Sequence, residues 1–168
     1  MYSSDNLLII LVVILILGAL AYILFRPKTA PAAAENPGPS TLPLQLQAYE
    51  RLVILAERIG LRHLIGSLPT DGLNARQYQA LLVDAIKREY EYKISQQIYV
   101  APKAWEAVQN LKEQNIYVIN QLGSYLNGEA VARDLARAIA EYLSGPENAT
   151  LQQIVTEGLN IEAKKLMH

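Results

Sequence analysis

The chain contains no cysteine, two histidines, one tryptophan and one phenylalanine in 168 residues. The missing cysteine excludes disulfides, thiolate metal sites and a thiol nucleophile, and it fits a reducing compartment. His168 ends the chain and His63 stands beside Arg62 in a stretch that reads as loop. No Glu-x-x-His occurs, so the carboxylate-bundle metal signature is missing. No Gly-x-x-x-x-Gly-Lys, Gly-x-Gly-x-x-Gly or Gly-x-Ser-x-Gly occurs either, and a serine without a partnered histidine is not a credible nucleophile. Glu89 and Glu91 resemble a carboxylate pair in print. On a helix, positions i and i+2 point about 200° apart, so the two cannot share a proton or a metal. These absences argue against an enzyme, and no cofactor or metal is expected.

An excess of basic charge is also lacking. Of 15 Lys/Arg and 16 Asp/Glu, only Arg26, Lys28, Asp5 and Glu35 precede residue 44, which leaves 13 and 14 in residues 44–168. Nucleic-acid domains carry basic stripes because neutralised phosphates supply much of their affinity. This one has none, so no nucleic-acid partner is expected.

Hydrophobic length, by contrast, is abundant at one place. Leu7 to Phe25 are 19 consecutive uncharged residues, 15 of them Leu, Ile, Val or Phe. A helix of that length spans roughly 28 Å, close to the hydrocarbon core of a bilayer. The expected organisation is therefore a tail (residues 1–6), a transmembrane helix (7–25), a linker (26–43) and a helical domain (44–168). A cleaved signal peptide fits less well: the preceding six residues hold Asp5 and no Lys or Arg, and the run exceeds a 7–15-residue signal core. Ala19-Leu20-Ala21 could mimic a cleavage site, but it lies inside the run. Arg26 and Lys28 follow the span directly, so the positive-inside rule places the N-terminus outside and the domain in the cytoplasm. With only two charges setting this bias, a periplasmic domain is the alternative. Gly18 has no small residue four positions away, so no GxxxG dimer face is present.

Residues 26–43 are rich in Pro and Ala and hold five of the eight prolines. Such a segment favours extended geometry, and the 17 residues from Pro27 to Pro43 reach roughly 50 Å. It serves as a reach-setting tether or as a passive connector.

The remaining 125 residues read as all-α, a compact bundle of four to five helices. The first helix is expected over Pro43–Ile59, with Leu46, Tyr49, Leu52, Val53, Ala56 and Ile59 inward. A loop follows from Leu61 to Asn74, punctuated by Asp71-Gly72. Asn74 and Gln77 form a capping box for a helix to about Ser95, with Asp84–Arg88 and Glu89–Lys93 as i,i+4 ion pairs. Gln96 to Ala101 breaks the pattern, and Ile98–Val100 is the longest strand-like run. Pro102 suits the first turn of a helix reaching about Leu126. Its inward residues are Trp105, Val108, Leu111, Val118, Ile119, Leu122 and Tyr125, and Asn127-Gly128 offers a left-handed cap. Glu129–Ser144 is next, burying Val131, Leu135, Ala138, Ile139 and Tyr142. A last helix opens at Thr150 with Gln153 and runs through Leu151, Ile154, Val155 and Leu159. Asn148-Ala149-Thr150 matches a glycosylation acceptor, but at a helix start these residues read better as caps.

Tyrosine is the compositional surplus: ten in the chain, eight of them in the domain. Tyr buries ring area while its hydroxyl finds a partner, which enriches it at interfaces. Tyr90, Tyr92, Gln96, Gln97, Tyr99 and Trp105 form the candidate interaction patch. The plain alternative is that these rings rim the bundle core. The run Glu89-Tyr90-Glu91-Tyr92-Lys93-Ile94-Ser95-Gln96-Gln97-Ile98-Tyr99-Val100, followed by Ala104-Trp105, resembles a family of uncharacterised bacterial membrane proteins. Ala48-Tyr49-Glu50-Arg51-Leu52 and the region of Asn120 fit as well. The resemblance covers residues 44–145. It implies one N-terminal span, a variable linker, a helical domain, a bacterial host and an envelope location, and it carries no catalytic residue.

The expected function is a membrane-anchored helical adaptor or accessory subunit that binds another protein. The competing readings are a self-assembling structural protein and a sensor of a small ligand or lipid.

Overall fold

The computed structural model describes residues 40–127, 129–145 and 150–167. The expected span Leu7–Phe25, most of the linker, Gly128 of the expected cap and the Asn148-Ala149 pair lie outside the described residues. Among the described residues no helix is long and apolar enough to cross a membrane.

Residues 40–168 form a compact unit of their own. Its described residues fold into six α-helices and one 3-10 helix, with no strand: α1 Leu42–Arg58, α2 Leu61–Ser67, α3 Ala75–Lys93, the 3-10 helix Ile94–Ile98, α4 Pro102–Ser124, α5 Ala132–Leu143 and α6 Thr150–Lys165. This is the expected all-α bundle, with one helix more than anticipated.

The addition is α2, which occupies a stretch expected as loop. Gly60 stands before it in extended conformation, and Leu61 and Leu64 turn into the core. Seven residues hold two turns, too few for a periodic signal to outweigh the glycines beside them.

Local chemistry sets most of the boundaries. Pro43 occupies the first turn of α1, where its missing N–H costs no hydrogen bond. The capping box at α3 is present in both directions: Gln77 N–H donates to Asn74 Oδ1 at 2.8 Å and Asn74 N–H donates to Gln77 Oε1 at 3.0 Å. At α5 only half of such a box can form. Val131 has no side-chain acceptor, but its N–H donates to Asp134 Oδ2 at 3.1 Å. Gly72 supplies the turn before α3 with φ of +73°, a conformation that favours glycine.

Two bonds tie the starts of α3 and α5 together. Ala75 N–H donates to the Ala130 carbonyl at 3.0 Å, and Ala132 N–H donates to the Leu73 carbonyl at 3.1 Å. Helices α1 and α6 run antiparallel. Glu57 near the end of α1 accepts from Gln152 near the start of α6 at 2.8 Å, while Pro43 and Leu46 share a groove with Ala163 and Met167.

Leu52, Leu55, Ile59, Tyr78, Leu82, Ile86, Leu111, Ile119, Leu135 and Ile139 fill the centre. Two expected core residues, Tyr125 and Val131, are instead exposed, as are the apolar Leu151 and Ile154 of the last helix. Each lies at or just beyond a helix end or on the outer edge of an apolar stripe, where no neighbouring helix covers it. The ion pair Asp84–Arg88 forms at 2.9 Å. Glu89 turns to Arg58 of α1 at 3.3 Å rather than to Lys93, because α1 brings a second cation within reach.

Candidate functional site

The six residues of the expected patch do not make one surface. Tyr90 and Tyr92 are two apart on α3 and so diverge by about 200°, by the same geometry that separates Glu89 from Glu91. Tyr90 is half-buried against Trp105, with ring centroids 5.1 Å apart and planes tilted by 36°. Lys112 Nζ lies 4.3 Å from its ring centre. Burial pushes the Tyr90 hydroxyl above its usual pKa, and the Lys112 cation opposes that shift. This trio joins α3 to α4 as packing. Tyr92 projects outward with only the neighbouring Lys93 ammonium over its ring, 4.6 Å away.

Gln96 is 7% exposed. Its Oε1 accepts from Arg51 at 3.3 Å and its Nε2 donates to Ser95 Oγ at 3.2 Å. It holds the 3-10 helix against α1, aided by Tyr49, whose hydroxyl accepts from Ala101 N–H at 3.1 Å. Tyr99 is half-buried against the core, and Gln97 alone joins Tyr92 in the open.

Two further exposed aromatics lie on another face. Tyr117 is 57% exposed and Tyr125 80% exposed. Together with Gln121 they stand at i, i+4 and i+8, one above the other along α4. Val118 and Leu122 lie at their inner edge, and Tyr142 of α5 forms the opposite wall. The result is a groove of about 250 Å³ lined by Gln114, Tyr117, Val118, Gln121, Leu122, Tyr125 and Tyr142. None of the seven carries a charge. Such a surface buries ring area while offering hydroxyls and amides for hydrogen bonds, the composition of interface cores. The signal in the sequence was the Tyr117-x-x-x-Gln121-x-x-x-Tyr125 spacing. It was obscured because Tyr125 reads as the last inward position of α4, whereas it is the C-cap residue and nothing packs over it.

A second concavity of about 600 Å³ lies between α2, α4, α5 and the start of α6. Leu61, Leu111 and Val118 form its apolar part, and Glu57, Arg62, His63, Gln114, Asn115 and Gln152 its polar rim. The size suits a small molecule. Its described lining contains no Ser, Thr, Cys or Lys. It can hold a small polar molecule by hydrogen bonds. No group of three or more His, Asp or Glu able to hold a metal occurs among the described residues.

A family model described as "Family of unknown function (DUF7935)" matches residues 3–166. The chain belongs to this family. The DUF7935 match takes in the apolar run and the linker as well as the helices, so the family unit is the whole arrangement rather than the bundle alone. It agrees with the resemblance in pointing to an uncharacterised family. No curated protein and no solved structure matches the chain.

Proposed function

We propose that this protein is a membrane-anchored interaction module of a bacterial envelope, in which the α4–α5 groove receives an uncharged segment of another protein. The groove carries the proposal: three tyrosines with amide and apolar neighbours, and no charge in its lining. An uncharged lining disfavours a charged partner segment, which would have to be desolvated without compensation. The anchor is Leu7–Phe25. Arg26 and Lys28 orient it with the N-terminus outside the inner membrane and the bundle in the cytoplasm. The Pro/Ala linker lets the bundle search a shell of roughly 50 Å from the bilayer. The module does no chemistry of its own.

The test is affinity capture of the tagged full-length protein from its own membranes after mild crosslinking, beside a Tyr117→Ala/Tyr125→Ala variant. A stoichiometric partner captured by the wild type and lost by the variant supports the proposal. A partner retained in full by the variant overturns the groove as its site.

The 600 Å³ concavity favours a second reading, a sensor of a small polar ligand. A ligand-dependent rise in melting temperature that Asn115→Ala removes would support it.

A further inference from the structure

Helix α6 is apolar on two sides. Val155 and Leu159 enter the core. A separate stripe, Leu151, Ile154, Gly158 and Ile161, follows 3-4-3 spacing, the seam of a helix that packs on another helix. Its three side chains are exposed, Ile154 at 57% and Ile161 at 48%. At Gly158 an added Cβ would meet nothing within 4 Å, so the stripe has a flat point where a second backbone can approach closely.

The charges beside the stripe indicate what covers it. Glu157 and Lys164 are seven residues apart, two turns, and so flank the same edge. Both are exposed. Neither makes an ion pair among the described residues, whereas the adjacent Lys165 is already engaged by Glu162 at 2.6 Å. We infer that this stripe is the contact between two copies of the chain, packed antiparallel through α6. Antiparallel packing brings Glu157 of one copy to Lys164 of the other, twice across the two-fold axis. It sets Gly158 opposite Ile161, so a bulky residue faces the gap. Parallel packing would place like charge against like. The seam is short, and it rests on the anchor proposed above, which holds both copies in one membrane at the effective concentration it needs. This inference concerns a different face from the α4–α5 groove and stands or falls independently of it.

The chain has no cysteine, which makes the test clean. Glu157→Cys and Lys164→Cys are introduced singly into the full-length protein, and the two variants are co-expressed. Their membranes are treated with a short bis-maleimide. A mixed 157–164 dimer as the dominant product, with little from either variant alone and none from Lys87→Cys on α3, is the expected result. Independently, Glu157→Lys abolishes crosslinking between copies read from a distant pair, and Lys164→Glu in the same chain restores it. Predominance of 157–157 adducts, adducts only with unrelated proteins, or no adduct above the Lys87→Cys control would each overturn the inference. Circular dichroism of each variant confirms that α6 still folds.

Discussion

The side-chain amide of Asn115 on α4 donates to the main-chain carbonyl of Ile59, 2.8 Å away and 56 residues earlier in the chain. Asn115 is almost wholly buried. It satisfies a carbonyl in the turn where α1 ends and α2 begins, and so fastens that corner to the longest helix.

Asn115→Ala removes the donor and leaves the Ile59 carbonyl inside the protein. An unsatisfied buried group costs about 1–3 kcal/mol. Urea unfolding of residues 40–168 should show a loss of about 2 kcal/mol. A change indistinguishable from zero would mean that water replaces the amide.

Asn74→Ala removes one half of the capping box at α3. The expected loss is about 1 kcal/mol. Asn74→Ser, which keeps an acceptor for the Gln77 N–H, should recover most of it in the same unfolding experiment.

The Tyr78 hydroxyl shows the opposite case. It is buried and has no hydrogen-bond partner among the described residues. Tyr78→Phe therefore removes a desolvated polar group and should stabilise the unit by about 1 kcal/mol. Burial also raises the Tyr78 pKa above its ordinary 10.0. Below pH 10 the hydroxyl is protonated in folded and unfolded chains alike. Above it the unfolded chain loses the proton first, so stability falls as pH rises. The melting temperature should decline more steeply above pH 10 in the wild type than in Tyr78→Phe. Parallel declines would show that another group sets the alkaline limit.

The orientation proposed from Arg26 and Lys28 has its own check. In the cysteine-free chain, Ser4→Cys should react with a membrane-impermeant maleimide on intact cells, and Ser144→Cys only after lysis. The reverse pattern would put the bundle on the outer side.

These predictions differ in how far the residues announce them. The Asn74–Gln77 box, Pro43, Pro102 and the Asp71-Gly72 turn act over three or four residues, so spacing alone displays them. The stripes of α1, α3 and α4 are long enough for a 3.6-residue period to emerge. Asn115 was harder to read. It stands between Leu111 and Val118 on the inward stripe, where a polar residue looks like an interruption until its distant carbonyl is known. Helix α2 is too short to show a period. The residues of the expected patch disperse for a geometric reason. Tyr90 and Tyr92 are adjacent in print and opposed on the helix, and Gln96 turns inward because Arg51 waits there. Tyr117 and Tyr125 lie eight residues apart, yet they share a face.

The most direct measurement of the proposed function is site-specific photo-crosslinking of the full-length protein in its native membranes. A photoreactive phenylalanine analogue replaces Tyr117, Tyr125 or Tyr92 in turn. The groove predicts the same discrete protein adduct from positions 117 and 125 and none from 92. An adduct from 92 alone, or none from 117 and 125, would contradict it.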